Sequence, residues 1–289
     1  MTWLRLGMAP FGLSLLIAVA AMAQGLPQTQ TAGQTAGQTA GQTAHREIAA
    51  AETNLFAQAG GFHSQYQENI QPGDGEHGFT PGFTIGGGVL MPSALPNLDL
   101  YGAFSYEYTA GNLTYNGHYQ PSGTPLTATD GAAFNRVEGR VGLGLPVAGG
   151  VAEAIPFLAG GYQSWNRNVT VTGGQGADEV YSSGMAGGGV KLDIPITATI
   201  VASGTAELLG LVGTHIEVSD YGIGSGMGDS AQERVSLGLD DALHGPLHVQ
   251  ASADWEHFNY AGSQPFDGIY EPSSTTTQFG VNLGLAYSF

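Results

Sequence analysis

"FGVNLGLAYSF", residues 279–289, places an apolar residue at every second position and stops on an aromatic one. Phe279, Val281, Leu283, Leu285, Tyr287 and Phe289 share one parity, while Gly280, Asn282, Gly284, Ala286 and Ser288 share the other. Alternation with a period of two marks a strand with one apolar face. A tilted strand of about 9–11 residues is also long enough to cross a bilayer. A strand that turns its greasy face to lipid accounts for both features.

The rest of the chain has the same character. Its 289 residues include 47 Gly, and only 11% are charged, against about 25% in ordinary soluble domains. Mean hydropathy is -0.01 because the apolar residues are spread through alternating positions. Membrane barrels read this way, and helical membrane proteins do not. "TATIVASGTAELLGLVGTHIEV", residues 197–218, is apolar enough to suggest a helix. Glu207 sits at its centre, however, and Gly204, Gly210 and Gly213 interrupt it, while Ile200, Ala202, Ala206, Leu208, Val212, Ile216 and Val218 share one parity. A strand is the better reading, with that set on the lipid side and Glu207 inside.

Residues 1–23 read as a secretory signal peptide: Arg5, then the apolar "FGLSLLIAVA", then Ala21-Met22-Ala23 as a small-residue cleavage site. No cysteine follows that could carry a lipid anchor. The whole chain has a net charge of -17, which argues against nucleic acid as a partner. "TAGQTAGQTAGQTA", residues 31–44, repeats small and polar residues and has too little apolar surface to offset chain ordering. Residues 24–53 are therefore expected to be a flexible periplasmic tether, with a short helical turn in "HREIAAAET".

Residues 54–289 divide into ten alternating segments separated by turn signals: 54–69, 79–91, 98–109, 133–145, 152–167, 179–194, 198–218, 231–241, 247–260 and 275–289. Short Pro- or Gly-containing turns alternate with longer polar loops, among them residues 110–132, 168–178 and "SDYGIGSGMGDS". The expected fold is all-β: a transmembrane antiparallel up-and-down β-barrel of ten strands, or eight as the alternative, with both termini at the short-turn end.

The final segment resembles the C-terminal assembly signal of bacterial outer-membrane β-barrel proteins, and the strand pattern is similar to that of small OmpA-like and surface-antigen barrels. The resemblance implies a place in the outer membrane of a Gram-negative bacterium. It also implies contact with outer-membrane lipids and lipopolysaccharide, and reading of Phe289 by the barrel-assembly machinery. It does not select a function, because porins, adhesins and enzymes share this architecture.

Parity shows which side chains face the lumen. Arg136, Glu138 and Arg140 oppose Val137, Val141, Leu143 and Leu145; Lys191 and Asp193 oppose Val190, Leu192 and Ile194; Arg234 and Asp240 oppose Val235, Leu237 and Leu239. With Asp99, Glu107, Glu207, Asp254 and Glu256 they form an expected ionic network inside the barrel. Unpaired charges in a confined space are unfavourable, and barrels near eight strands are filled by side chains. The first and fifth strands show no clear parity, which leaves Arg167 unassigned.

Enzymatic chemistry finds little support. Omptin proteases also have ten strands, but their chemistry depends on paired Asp residues facing an Asp-His pair. Here His215, Glu217 and Asp220 lie near the rim without that pattern. Lipid A deacylases need a Ser two residues after a His, and the sequence after His257 puts Asn259 there, with Glu271 further on; an amide cannot replace an activated hydroxyl. "GIGSGMG", residues 222–228, has no strand-to-helix context for phosphate binding. The eight His residues show no ligand spacing, and Asp220 with Asp229 offers at most a loose divalent contact. No catalytic residue, cofactor or metal is expected. The expectation is a filled barrel with a structural or surface-interaction role through its extracellular loops. A small porin-like solute channel is the alternative, and a rim-located protease or lipid A-modifying enzyme is the third reading.

Overall fold

The structure is a computed structural model that describes residues 33–70, 73–92, 98–119, 123–171, 176–219, 222–228, 230–265 and 270–289. Alternating segments become long strands: β1 (Asn54–Glu68), β2 (Gly75–Pro92), β3 (Asp99–Tyr119), β4 (Thr124–Val147), β5 (Ala152–Thr170), β6 (Ala177–Pro195), β7 (Ile200–Val218), a four-residue β8 (Ile223–Gly226), β9 (Ser230–His244), β10 (Leu247–Tyr260) and β11 (Ser274–Ser288). Each long strand pairs antiparallel with its neighbours, β6 pairs with β7, and β1 runs along β11 from Asn54↔Ser288 to Glu68↔Ser274. The ring is therefore closed. β8 only extends the free end of β7, so ten strands make the wall, in the expected up-and-down order.

The wall is inside-out compared with a soluble protein. Leu158 is 70% exposed and Val141 64%, while Asp193 and Gln232 inside are 0% exposed. Leaving a large apolar side chain in water forfeits roughly 1.5–3 kcal/mol, so a belt of them on the outer face of nine of the ten wall strands is compatible with lipid and not with water. On β11, Phe279, Val281, Leu283, Leu285 and Tyr287 all face outward, followed by the exposed Phe289. No described helix is long and apolar enough to cross a membrane; the crossings are made by strands.

Three sequence expectations change. Residues 110–132, expected to be a polar loop, are largely strand, because β3 and β4 continue as a paired hairpin to Tyr119↔Thr124. Beyond the lipid belt neither face has to be apolar, so the alternation that reveals a strand fades while the ladder persists. Second, Ile216 and Val218 do not share the outward face of Leu208 and Val212. Pairing steps from Val212↔Gly184 to His215↔Ser182, so Gly213 and Thr214 oppose Ser183 alone. Gly213 takes φ +62, the left-handed conformation that suits glycine in a bulge. Past it parity reverses: Ile216 is buried, while His215 and Glu217 point outward.

Third, residues expected to be a flexible tether form a helix, α1 (Gly33–Glu52). The four-residue repeat puts Ala36, Ala40 and Ala44 at i, i+4 spacing, near one helical face, and Ile48 and Glu52 continue the series. Ala44, Ile48, Ala51 and Glu52 are buried inside the mouth of the barrel. Gly41 lies against the β4–β5 turn, where an added Cβ would sit 3.1 Å from the Gly149 carbonyl oxygen. The helix passes directly into β1, with Thr53 N donating to Ala49 O at 2.9 Å and Asn54 Nδ2 donating to Ala51 O.

Candidate functional site

The candidate site is the lumen, built in layers by the inward parity of each strand. At the short-turn end, Ile48 and Ala51 of α1 pack with Leu90, Tyr101, Ile155 and Phe157. Glu52 pairs with Lys191, which also lies 3.6 Å from Asp193. His45 lies between Asp99 and Glu153. Asp240 meets His248 Nδ1 and accepts from Gln250 Nε2 at 2.9 Å.

A cavity of about 240 Å³ separates this layer from the next. Beyond it, three guanidiniums and four carboxylates interlock. Arg136 holds Glu107 at 2.7 Å and also pairs with Glu256. Arg140 bridges Glu138 at 2.6 Å and Glu207 at 3.0 Å. Arg234 pairs with Glu138, with Glu207 at 3.0 Å and with Glu256 at 3.5 Å. Each acid except Glu107 is shared by two arginines, and the forked donors of arginine suit such sharing.

Nearer the long-loop end, aromatic rings pack together inside the barrel. Phe134, Trp165, Tyr181 and Tyr260 stack in sequence with successive centroids 5.2 Å apart. Tyr66 meets Trp165 edge-on at 5.2 Å, and Phe258 meets Tyr260 at 5.5 Å. Above them Arg167 donates Nε to Glu76 at 3.0 Å, pairs with Glu179, and lies over the Tyr66 ring at 4.8 Å. In the loop beyond, Glu271 accepts from Tyr181 Oη at 2.6 Å. Burial, with the negative charge of Glu179 next, pushes its carboxyl up to about 8.

The twelve residues expected to form one network thus fall into separate groups. Glu107, Arg136, Glu138, Arg140, Glu207, Arg234 and Glu256 come together. Lys191 and Asp193 join Glu52, Asp99 joins His45 and Glu153, and Asp240 joins His248. Asp254 accepts from Ser252 at 2.8 Å and Asn282 at 3.1 Å and makes no ion pair among the described residues. Sequence reasoning missed Arg167 with Glu76 and Glu179, the aromatic layer, and every contact from α1. On β5 the inward face carries Ile155, Phe157 and Trp165 while the outward face carries Leu158 and Tyr162, so both parities look apolar. The neighbouring Phe134 and Tyr181 at matching heights were the available signal.

No protein-family model and no curated protein matches the sequence. Among solved structures, the chain is similar to the outer membrane protease OmpT from Escherichia coli, with a TM-score of 0.53 at 12% identity, covering 82% of this chain and 95% of that chain. The fold is that of an outer-membrane β-barrel. The transport unit of the autotransporter AIDA-I from Escherichia coli also matches, with a TM-score of 0.48 at 10% identity over 86% of this chain and 99% of that one. Neisserial surface protein A matches with a TM-score of 0.32 at 12% identity over 81% of this chain and 97% of that one. At such identities the likeness concerns fold alone. In this barrel His215 and Glu217 face outward, while Asp220 and Asp229 lie outside the described residues. His257 bonds Thr277 at 2.9 Å, and Glu271 belongs to the tyrosine cluster.

Proposed function

We propose that this chain is a non-conducting β-barrel of the outer membrane of a Gram-negative bacterium, with a structural or surface-contact role carried by its long-loop end. The observation that carries the reading is the Arg136–Glu256 ion pair, which spans the lumen from β4 to β10. An open pore needs a continuous water path; this interior has paired charges, stacked rings and a docked helix along its length. Removal of residues 1–23 on export, insertion by the assembly machinery through Phe289, and contact with outer-membrane lipids and lipopolysaccharide belong to the same reading. No reaction is assigned. The cavity of about 240 Å³ behind α1 favours a small solute channel as the second reading, which requires both α1 and the layers beyond it to move.

The absence of cysteine makes the orientation easy to test. Gly226→Cys on β8 adds a side chain into open space, and His244→Cys lies exposed at the opposite end. On intact cells a membrane-impermeant maleimide should label the first and spare the second. Labelling of His244→Cys alone would overturn the orientation and the surface role with it.

A further inference from the structure

We propose that His45, Asp99 and Glu153 bind one divalent transition-metal ion of the zinc class, which fastens α1 to the mouth of the barrel. His45 on α1 sets Nε2 3.4 Å from Asp99 Oδ2 on β3 and Nδ1 3.4 Å from Glu153 Oε2 on β5. One donor atom from each residue lies within 4.8 Å of the other two. A tetrahedral metal with bonds of about 2.0–2.1 Å holds its ligand atoms about 3.4 Å apart, so a modest turn of the imidazole completes the set. Gly144 keeps the space open. It pairs with Asp99, and an added Cβ there would overlap Glu153 Oε1 and sit 3.1 Å from Asp99 Cβ.

A second observation independently calls for a cation. Glu153 is 1% exposed, and its Oε1 has no hydrogen-bond partner among the described residues. Its cross-strand partner Asp193 is fully buried, with neither oxygen hydrogen-bonded among those residues. Lys191, 3.6 Å from Asp193, is engaged by Glu52. Among the described residues, the mouth therefore sets Glu52, Asp99, Glu153 and Asp193 against Lys191 and His45, with Asp240 and His248 pairing separately beside them, an excess of negative charge that is unfavourable away from water. A divalent ion held by two carboxylates and a neutral imidazole removes that excess. The nitrogen ligand favours zinc over magnesium or calcium, which prefer oxygen-only shells. His45 remains partly exposed, which gives the ion a route in.

The test uses the full protein purified from membranes in detergent, stripped with EDTA, incubated with ZnCl₂ and desalted. The wild type should retain one zinc per chain and melt at a higher temperature with ZnCl₂ than with EDTA. His45→Ala and Glu153→Gln should each lose the bound zinc and the melting shift, with affinity reduced more than about tenfold. His215→Ala, on the outward face of β7, should retain both. His45→Ala alters only a partly exposed helical side chain and reads the site even if Glu153→Gln fails to assemble. No zinc on the wild type, zinc retained by His45→Ala, or zinc lost equally from His215→Ala would overturn the proposal.

Discussion

The guanidinium of Arg136 on β4 is ion-paired with the carboxylate of Glu256 on β10, five strands away in either direction around a ring of ten. Two opposite walls are therefore joined through the middle of the barrel. Arg234 and Arg140 tie Glu256, Glu138 and Glu207 into the same layer, so the cross-link is one member of a lattice of shared pairs.

Arg140→Ala should destabilise the barrel by about 3 kcal/mol, because Glu138 and Glu207 then share only Arg234 and breaking a buried pair leaves charge uncompensated. Unfolding midpoints in one detergent measure it. A midpoint within error of wild type would mean that the layer is wet and its charges loosely held.

Arg167→Ala should be at least as disruptive, about 3–5 kcal/mol, since it strips a buried partner from Glu76 and Glu179 and removes a cation from the faces of Tyr66 and Trp165. Arg46→Ala supplies the contrast. That side chain is exposed on α1, and its loss should shift stability by no more than about 0.5 kcal/mol. The same melting series reads both variants, and equal effects would contradict the burial assigned to Arg167.

Deleting residues 33–52 removes Ile48 from the mouth and Glu52 from Lys191. The barrel should still insert but melt earlier. Ion flux should remain low because the arginine layer and the aromatic stack are intact. Deleting residues 27–44 removes Ala44 and the Gly41 contact but leaves Ile48, Ala51 and Glu52 in place, and should have the smaller effect. If both deletions left melting unchanged, α1 would not be docked.

Glu271 gives the long-loop end a pH dependence. Its folded value near 8 lies above the ordinary 4.5, so the folded state binds the proton more tightly than the unfolded state. The stability from this group is complete below about pH 4.5 and is lost as pH rises through about 8. The slope is at most about 1.4 kcal/mol per pH unit. Glu271→Gln should flatten the fall in unfolding midpoint over that window, and an unchanged pH profile would show that Glu271 is already ionised when folded.

Period-two alternation made the barrel legible in the sequence, and with it the inward set from Arg136 to Glu256, because lipid forces one face of a strand to be apolar and leaves the other free to be charged. Legibility ended where that contrast ended. On β1, Ala57 and Ala59 outside and Gln58 and Gly60 inside are too small or mild to declare a side. On β5, Ile155, Phe157 and Trp165 inside are as apolar as the lipid face, which hid Arg167. The bulge at Gly213 reversed parity within one strand, a backbone event that side-chain pattern does not report. His45, Asp99 and Glu153 meet only because a helix enters the barrel and sets three distant segments side by side.

Single-channel recording of the folded wild-type protein in planar bilayers tests the filled lumen most directly. The Arg136–Glu256 cross-link, the aromatic stack and α1 together predict no steady conductance. A stable current, cation-selective because acids outnumber bases along the lumen, would contradict the filled interior and favour the channel.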